Sequence, residues 1–417
     1  MSTAPFRFLH AADLHLDRAM VGIAEVPEHL RDALIDAPYV AAERVFDTAI
    51  VEQVNFVVLS GDVVNVARAN PRAMAFLLGQ FERLAESGVS VYWGEGRIDR
   101  LAAWPDEVPL PDGVHLLDRR DTREHVACRE NQPVAAVVGR AAVARRRGSG
   151  ESRGSGDSLP AVAAIHGRIR ASHVGEYGVD YWALGGSHTH RQLSGPPAAA
   201  VYAGTCQGRS VREHGPRGCV LVEFASRDDV RTQFIPTDAV RWHVEQLELP
   251  PDESLDSMRE AIRARMLELA VESAGRPLLV QWQLRQADAA PVASTRGSWR
   301  DDLVADFREE LGHRETPVWT VSLELESSLL PAQWLDEDTI AGQFLRTVSQ
   351  YESDAELPIS LDRYVPPELA GSPLAAALAI GGERRSGVLR EVAVLGAELL
   401  RGDGYESRES RHKEAAP

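Results

Sequence analysis

Short apolar runs alternate with helical stripes through the first half of the chain. Phe6-Arg7-Phe8-Leu9-His10 reads as a strand, and Val45, Phe46, Ala49, Ile50 and Val54 recur at helical spacing within residues 40–54. Phe56-Val57-Val58-Leu59 is continuously apolar, the pattern of a strand buried on both faces. Met74, Leu77, Leu78, Phe81 and Leu84 form a second stripe, opened by Pro71 and closed near Gly88, and residues 89–93 read as a third strand. Strand, helix, strand, helix, strand predicts a layered α/β domain. Further strands are expected at 114–117, 134–138, 161–165, 182–184, 201–203, 219–224 and 231–235.

Between the second and third of these lies a Gly/Ser/Arg-rich segment, Arg145 to Gly156, which cannot bury a core and is expected to be an exposed mobile loop. A second β-α-β-α-β series follows. Trp242, Val244, Leu247 and Leu249 suggest a strand, and Leu255, Met258, Ile262, Met266 and Leu269 share one helix face. Val280, Trp282 and Leu284 alternate, Leu303, Val304, Phe307 and Leu311 recur helically, and Trp319, Val321, Leu323 and Leu325 alternate again. From about Leu330 the pattern is helical, with a solvated stretch expected from Glu406 to Pro417. The expected domains are 1–238, a small α/β unit at 239–328, and a helical C-terminal region at 329–417.

The composition is that of a globular protein, and the formal net charge of −17 argues against coating nucleic acid by bulk charge. Any contact with DNA requires locally clustered arginines or bound cations. Cys128, Cys206 and Cys219 are too few for a disulfide framework and have no zinc-site spacing. The opening residues carry no basic segment followed by an apolar one, and no apolar run reaches the roughly 18 residues of a membrane span. A soluble, cytoplasmic protein without membrane association is the expectation.

The chemistry gathers at strand ends. Asp13-Leu14-His15 follows the first strand and Gly61-Asp62 the second. Ligands in α/β sheets bind at the carboxyl ends of parallel strands, so two carboxylates and an imidazole can meet one cation there. Mixed oxygen and nitrogen ligation suits manganese, iron or zinc better than magnesium or calcium. A turn glycine and a helix N-cap would explain either motif alone, but the two motifs on neighbouring strand ends favour the metal.

These residues, with His166, Asp180-Tyr181-Trp182-Ala183-Leu184-Gly185 and His188, resemble the calcineurin-like metallophosphoesterases. His10-Ala11-Ala12-Asp13-Leu14-His15-Leu16-Asp17 and Gln207-Gly208-Arg209-Ser210, with Glu213, Gly215 and Gly218-Cys219, narrow the resemblance. They look like the DNA double-strand-break repair nucleases of the SbcD type, in their YhaO-like branch, over roughly residues 6 to 236. The resemblance implies a four-layer sandwich of two mixed sheets flanked by helices, with a small α/β capping domain and a helical tail. It implies one or two divalent ions, manganese first, with iron or zinc as alternatives. The first metal would take Asp13, His15 and His188, with Asp62 bridging, and the second Asp62, an Asn, His166 and another His. It also implies DNA as substrate, an SbcC-type coiled-coil ATPase partner, and a homodimer as a further possibility.

Two motifs depart from that family. Where Gly-Asn-His-Asp is expected stands Gly96-Arg97-Ile98-Asp99, which puts Arg97 at the Asn ligand and Ile98 at the His that assists the leaving group. Arginine has no lone pair to give, and isoleucine cannot move a proton. Arg97 either grips a phosphate in place of the second cation or pairs with Asp62 or Asp99 and seals the site. In the Gly-His-x-His motif, one register places Gly186 and His188 at the two histidines; the other uses His188 and His190 after a two-residue insertion. The first keeps the strand–turn spacing and is favoured, with His190 as the alternate ligand. Arg209 and Arg212 are expected near phosphate, and the Arg145–Arg153 segment is a weaker DNA contact. Trp93, Trp104 and Trp182 read as core. A metal-dependent DNA phosphodiesterase is the leading reading. A weakened one-metal homologue acting as a DNA-end-binding or scaffold subunit, and an enzyme for small phosphodiesters, are the alternatives.

Overall fold

The computed structural model describes residues 4–68, 71–148, 158–249, 255–286, 299–326, 332–354, 359 and 383–401. The first sheet holds β1 (Phe6–Ala11), β2 (Phe56–Leu59), β3 (Ser90–Gly94), β4 (Val114–Leu117), β11 (Gly218–Ser226) and β12 (Asp229–Pro236), in the order β12-β11-β1-β2-β3-β4. The second holds β5 (Glu124–Arg129), β6 (Gln132–Val138), β7 (Ala161–His166), β8 (Tyr181–Gly185), β9 (Arg191–Ser194) and β10 (Ala199–Tyr202), in the order β5-β6-β7-β8-β10-β9. Both sheets are mixed. β1 to β4 run parallel, as do β6, β7, β8 and β10, while β11, β12, β5 and β9 pair antiparallel.

Alternation along the central strands assigns the layers. Phe6, Phe8, Phe56, Val58 and Tyr92 face Ala135, Val137, Val162, Tyr181, Ala183 and Val201 between the two sheets. Leu9, Ala11, Val57, Leu59 and Trp93 point outward onto helices α1 (Glu28–Val51) and α2 (Pro71–Glu86), through Val45, Phe46, Ala49, Leu77, Phe81 and Leu84. On the far side, Val138, Ile165, Trp182 and Leu184 pack against Ala142 and Val143 of helix α3 (Arg140–Gly148). This is the helix–sheet–sheet–helix sandwich expected from the sequence, and every central strand is buried because both its faces are covered.

Three local readings change. Helix α1 begins at Glu28, well before the stripe seen in the sequence, and carries Pro38 inside it. Its extra turns bury Leu30, Leu34 and Ala37 against Val240, Trp242, Leu279 and Trp319, a tertiary gain that outweighs the proline. The edge strands β5 and β9 escaped detection because their residues are mostly exposed and polar. Residues 145–148 are not loop but the last turn of α3: Ala142 and Val143 bury, and Arg146 pairs with Glu124 at 2.7 Å and donates to the Gly178 carbonyl at 3.2 Å. Residues 149–157 lie outside the described residues.

Strands β13 (Arg241–Leu249), β14 (Leu278–Gln286) and β15 (Val318–Glu326) form a third sheet, with helices α4 (Leu255–Glu272) and α5 (Trp299–Leu311) between them in the chain. The tail supplies α6 (Ala332–Asp336), α7 (Ile340–Ser353) and α8 (Glu383–Arg401), while the stretch expected to fray, 406–417, lies outside the described residues. By contact density the chain divides into two compact units, one of residues 1–244, 269–281 and 311–321, the other of 245–268, 282–310 and 322–417. Everything that builds the site below belongs to the first. No helix among the described residues is long and apolar enough to cross a membrane.

Candidate metal centre

The parallel strands of both sheets deliver their carboxyl ends to one edge of the sandwich. The loops after β1 and β2 are zipped together there: Ser60 N–H donates to Ala11 O at 2.9 Å, Asp13 N–H to Gly61 O at 3.0 Å, and His15 N–H to Asp62 O at 3.0 Å. These bonds hold three non-glycine residues in the left-handed region, Asp13 at φ 54°, His15 at φ 46° and Asp62 at φ 54°. That conformation is uncommon outside glycine and persists only where surrounding structure over-determines it. Here it turns three potential ligands toward a common point. The two sheets also approach closely at this edge. A Cβ on Gly185, at the end of β8, would lie 2.0 Å from the Ser60 carbonyl, so only glycine fits.

Five side chains converge. His166 Nε2 lies 3.2 Å from Asp13 Oδ1 and 3.4 Å from Asp62 Oδ2. His15 Nε2 lies 3.9 Å from each of those oxygens and 3.4 Å from His188 Nε2, and His188 Nε2 is 4.0 Å from Asp13 Oδ1. Asp13, His15, Asp62 and His166 are buried, and His188 is partly exposed. Two overlapping ligand groups emerge, Asp13–His15–His188 and Asp13–Asp62–His166. The donor set of imidazole nitrogens and carboxylate oxygens, buried and turned on one another, fits a divalent transition cation.

Backbone N–H groups orient the carboxylates. Gly186 donates to Asp13 Oδ2 at 2.8 Å, and Arg97 and Ile98 donate to Asp62 Oδ1 at 2.5 and 3.1 Å. Burial works to raise the pKa of Asp62, but His166 and the N–H groups of Ile98 and Arg97 hold it well below the usual carboxylate range. Burial, with the nearby charges of Arg209 and Arg18, pushes His15 down to about 2, which leaves its imidazole neutral with a lone pair to share. Burial likewise opposes charge on His166, yet Asp13 and Asp62 prevail and hold it up at about 9.

The residues singled out in the sequence now have places. His188, not His190, joins the cluster. The His190 ring stacks near Phe234, with centroids 4.7 Å apart, and belongs to neither ligand group. Gly186 sits beside His166, where its missing side chain leaves no donor. Arg97 is exposed, and its side chain pairs with neither Asp62 nor Asp99; its contact with Asp62 is through the backbone. Asp99 is buried and wholly engaged with Trp93, Gly96, Asp62 and Val63. Arg212 is exposed, whereas Arg209 is buried with Nη1 unpartnered and Nη2 3.3 Å from Glu213 Oε1.

Two further residues gain their roles only in three dimensions. Glu213 Oε1 meets His188 Nδ1 at 2.5 Å. Burial would raise the Glu213 pKa, but His188 and Arg209 hold it down at about 2, so it is a carboxylate that accepts the Nδ1 proton. That fixes the tautomer of His188 and turns its Nε2 lone pair toward His15 and Asp13. Arg217, buried, ties the same loops together by donating to the carbonyls of His188, Glu213 and His214 at 2.5, 3.0 and 2.5 Å. Glu213→Ala is therefore expected to weaken manganese binding about 10–100-fold, with Glu213→Gln, which keeps an acceptor, losing less. Calorimetric titration with MnCl2 measures both.

No protein-family profile matches the chain. A curated relative, an uncharacterized metallophosphoesterase named YhaO from Bacillus subtilis strain 168, is 27% identical over 335 residues, covering 77% of this chain and 81% of its own. A dimetal phosphatase from Danio rerio, known from its crystal structure, aligns with 54% of this chain and 98% of its own at 10% identity and a TM-score of 0.33. Over most of its length the chain is thus similar to a bacterial metallophosphoesterase.

Proposed function

We propose that the protein is a metal-dependent phosphoesterase that hydrolyses phosphodiesters, with DNA as its substrate class. The observation that carries this reading is the convergence of Asp13, His15, Asp62, His166 and His188 at the carboxyl ends of four strands, in the order and context of the metallophosphoesterase motifs. A cation bound there supplies a Lewis acid for phosphoryl oxygens and acidifies water at neutral pH. The chain supplies orientation. Glu213 holds His188, the Gly186 N–H holds Asp13, and the N–H groups of Arg97 and Ile98 hold Asp62. Arg97, exposed and one bond from that contact, is the cation offered to a phosphate. Recruitment to DNA ends by a coiled-coil ATPase belongs to the same reading.

One observation favours a second reading. Ile98 stands where a proton-transferring histidine is expected, so leaving-group protonation has no side chain at that position. A one-metal scaffold with weak or absent hydrolysis follows from it. Manganese-loaded protein assayed on bis(p-nitrophenyl) phosphate and on linear duplex DNA separates the readings. Hydrolysis of both is expected. Hydrolysis of the small ester alone removes DNA as substrate, and hydrolysis of neither leaves the scaffold.

A further inference from the structure

We propose that the loops on the His166 side of the metal centre form an arginine track that holds the phosphate backbone of duplex DNA. The inference rests on the DNA reading above and deepens it by assigning the surface on which the duplex lies. Residues 95–100, 118–123, 139–140 and 167–170 follow the carboxyl ends of β3, β4, β6 and β7, and they hold eight arginines against four carboxylates. Hydrogen bonds tie these loops into one surface. Glu95 N–H donates to the Leu117 carbonyl at 3.2 Å, Arg119 Nη2 to the Gly96 carbonyl at 3.0 Å, and Arg140 Nη2 to the His166 carbonyl. The last of these joins the surface to the metal centre.

The four carboxylates leave most of that charge uncancelled. Asp99 is buried, and Asp121 is buried against Arg123 and His125. Glu95 pairs with Arg119 at 2.8 Å, and Asp118 accepts the backbone N–H groups of Arg120 and Asp121 at 2.6 and 2.8 Å. Arg97, Arg100, Arg120, Arg168 and Arg170 are exposed, and their side chains have no hydrogen bond or ion pair among the described residues. At the amino ends of the parallel strands the pattern is the reverse: exposed Arg7 pairs with Glu223, and exposed Arg83 with Asp47 at 2.6 Å. A lone unpaired arginine is an ordinary solvated side chain. Five on one flank, in a chain of net charge −17, make the local positive field that a polyanion needs. The four segments contain no Phe, Tyr or Trp, so they offer no platform for stacked bases. Their chemistry fits the backbone of a duplex rather than the splayed bases of a single strand.

The test titrates the full chain, in EDTA to prevent turnover, against a fluorescein-labelled duplex of about 30 bp and a single strand of the same length. Fluorescence anisotropy is read from about 50 to about 300 mM NaCl. The combined variant Arg120→Gln, Arg168→Gln, Arg170→Gln is expected to weaken duplex binding about 10–100-fold at about 100 mM NaCl and to lower the salt slope by about 3. The control variant Arg7→Gln, Arg83→Gln, Arg129→Gln removes the same charge from the opposite edge and is expected to change affinity less than about threefold. Circular dichroism confirms that both are folded. Equal losses in the two variants, no loss in either, or tighter binding of the single strand overturn the track. Hydrolysis of bis(p-nitrophenyl) phosphate by manganese-loaded wild type then leaves the phosphoesterase reading standing. No duplex binding by wild type at about 50 mM NaCl overturns the track and the DNA reading together.

Discussion

Asp62→Asn is expected to lower kcat/KM for manganese-dependent phosphodiester hydrolysis by about a thousandfold or more, a loss of about 4 kcal/mol of transition-state stabilisation. The substitution is close to isosteric, and the amide oxygen can still accept from Arg97 and Ile98, which bond Oδ1 at 2.5 and 3.1 Å. The other end changes in kind. Where Oδ2 faces His166 at 3.4 Å and His15 at 3.9 Å, an NH2 group would bring protons in place of the lone pairs and charge of a carboxylate oxygen. The centre loses an anionic ligand, while the backbone bonds that hold the β1 and β2 loops remain. A normal melting temperature, lost manganese and lost hydrolysis together are the expected signature. Equal rates in wild type and variant would show that hydrolysis does not run through this centre.

Much of this was legible in the residue pattern, for a physical reason. Strands covered on both faces must be continuously apolar, so β2, β3, β7 and β8 announce themselves, and Asp62, His166 and His188 lie at or just after the carboxyl ends of β2, β7 and β8. Edge strands obey no such demand. β5 carries Glu124, His125 and Arg129, and β9 opens on Arg191 and Gln192, so neither shows an apolar run. The start of α1 was hidden because the partners of Leu30 and Leu34, among them Trp242 and Trp319, lie far along the chain. At the site, Asp13, His15 and Asp62 stood out as residue types, but nothing in their order reveals that all three adopt left-handed backbone. The meeting of Glu213 with His188 is equally silent, because it depends on loops that Arg217 draws together. Arg97 shows the limit from the other side. Its side chain pairs with neither Asp62 nor Asp99, and its contact with Asp62 runs through the backbone N–H, which no residue type announces.

Asp99→Ala is expected to destabilise the protein by about 4 kcal/mol, because this residue is the internal brace of the site rather than part of its chemistry. Its carboxylate is fully buried and accepts four bonds. Oδ1 takes the N–H groups of Gly96 and Asp62 at 2.6 and 3.1 Å, and Oδ2 takes Trp93 Nε1 and the Val63 N–H at 2.7 and 3.2 Å. Burial pushes its pKa up to about 6, against the pull of the Trp93 Nε1–H and the Val63 and Asp62 N–H groups and with a push from the Asp62 charge. Alanine would strand four donors in a space closed to water, each costing about 1–3 kcal/mol before relaxation. Asparagine keeps one acceptor but turns an NH2 toward two of the donors, and is expected to cost about 2 kcal/mol. Because two of the four bonds run to Asp62 and Val63, the loss also frees the loop that aims Asp62 at the imidazoles, so manganese affinity should fall with stability. Urea unfolding with and without manganese measures both effects. A cost below about 1 kcal/mol for alanine would mean that these donors find other partners, and that the Asp62 loop is held by its zipper to the β1 loop alone.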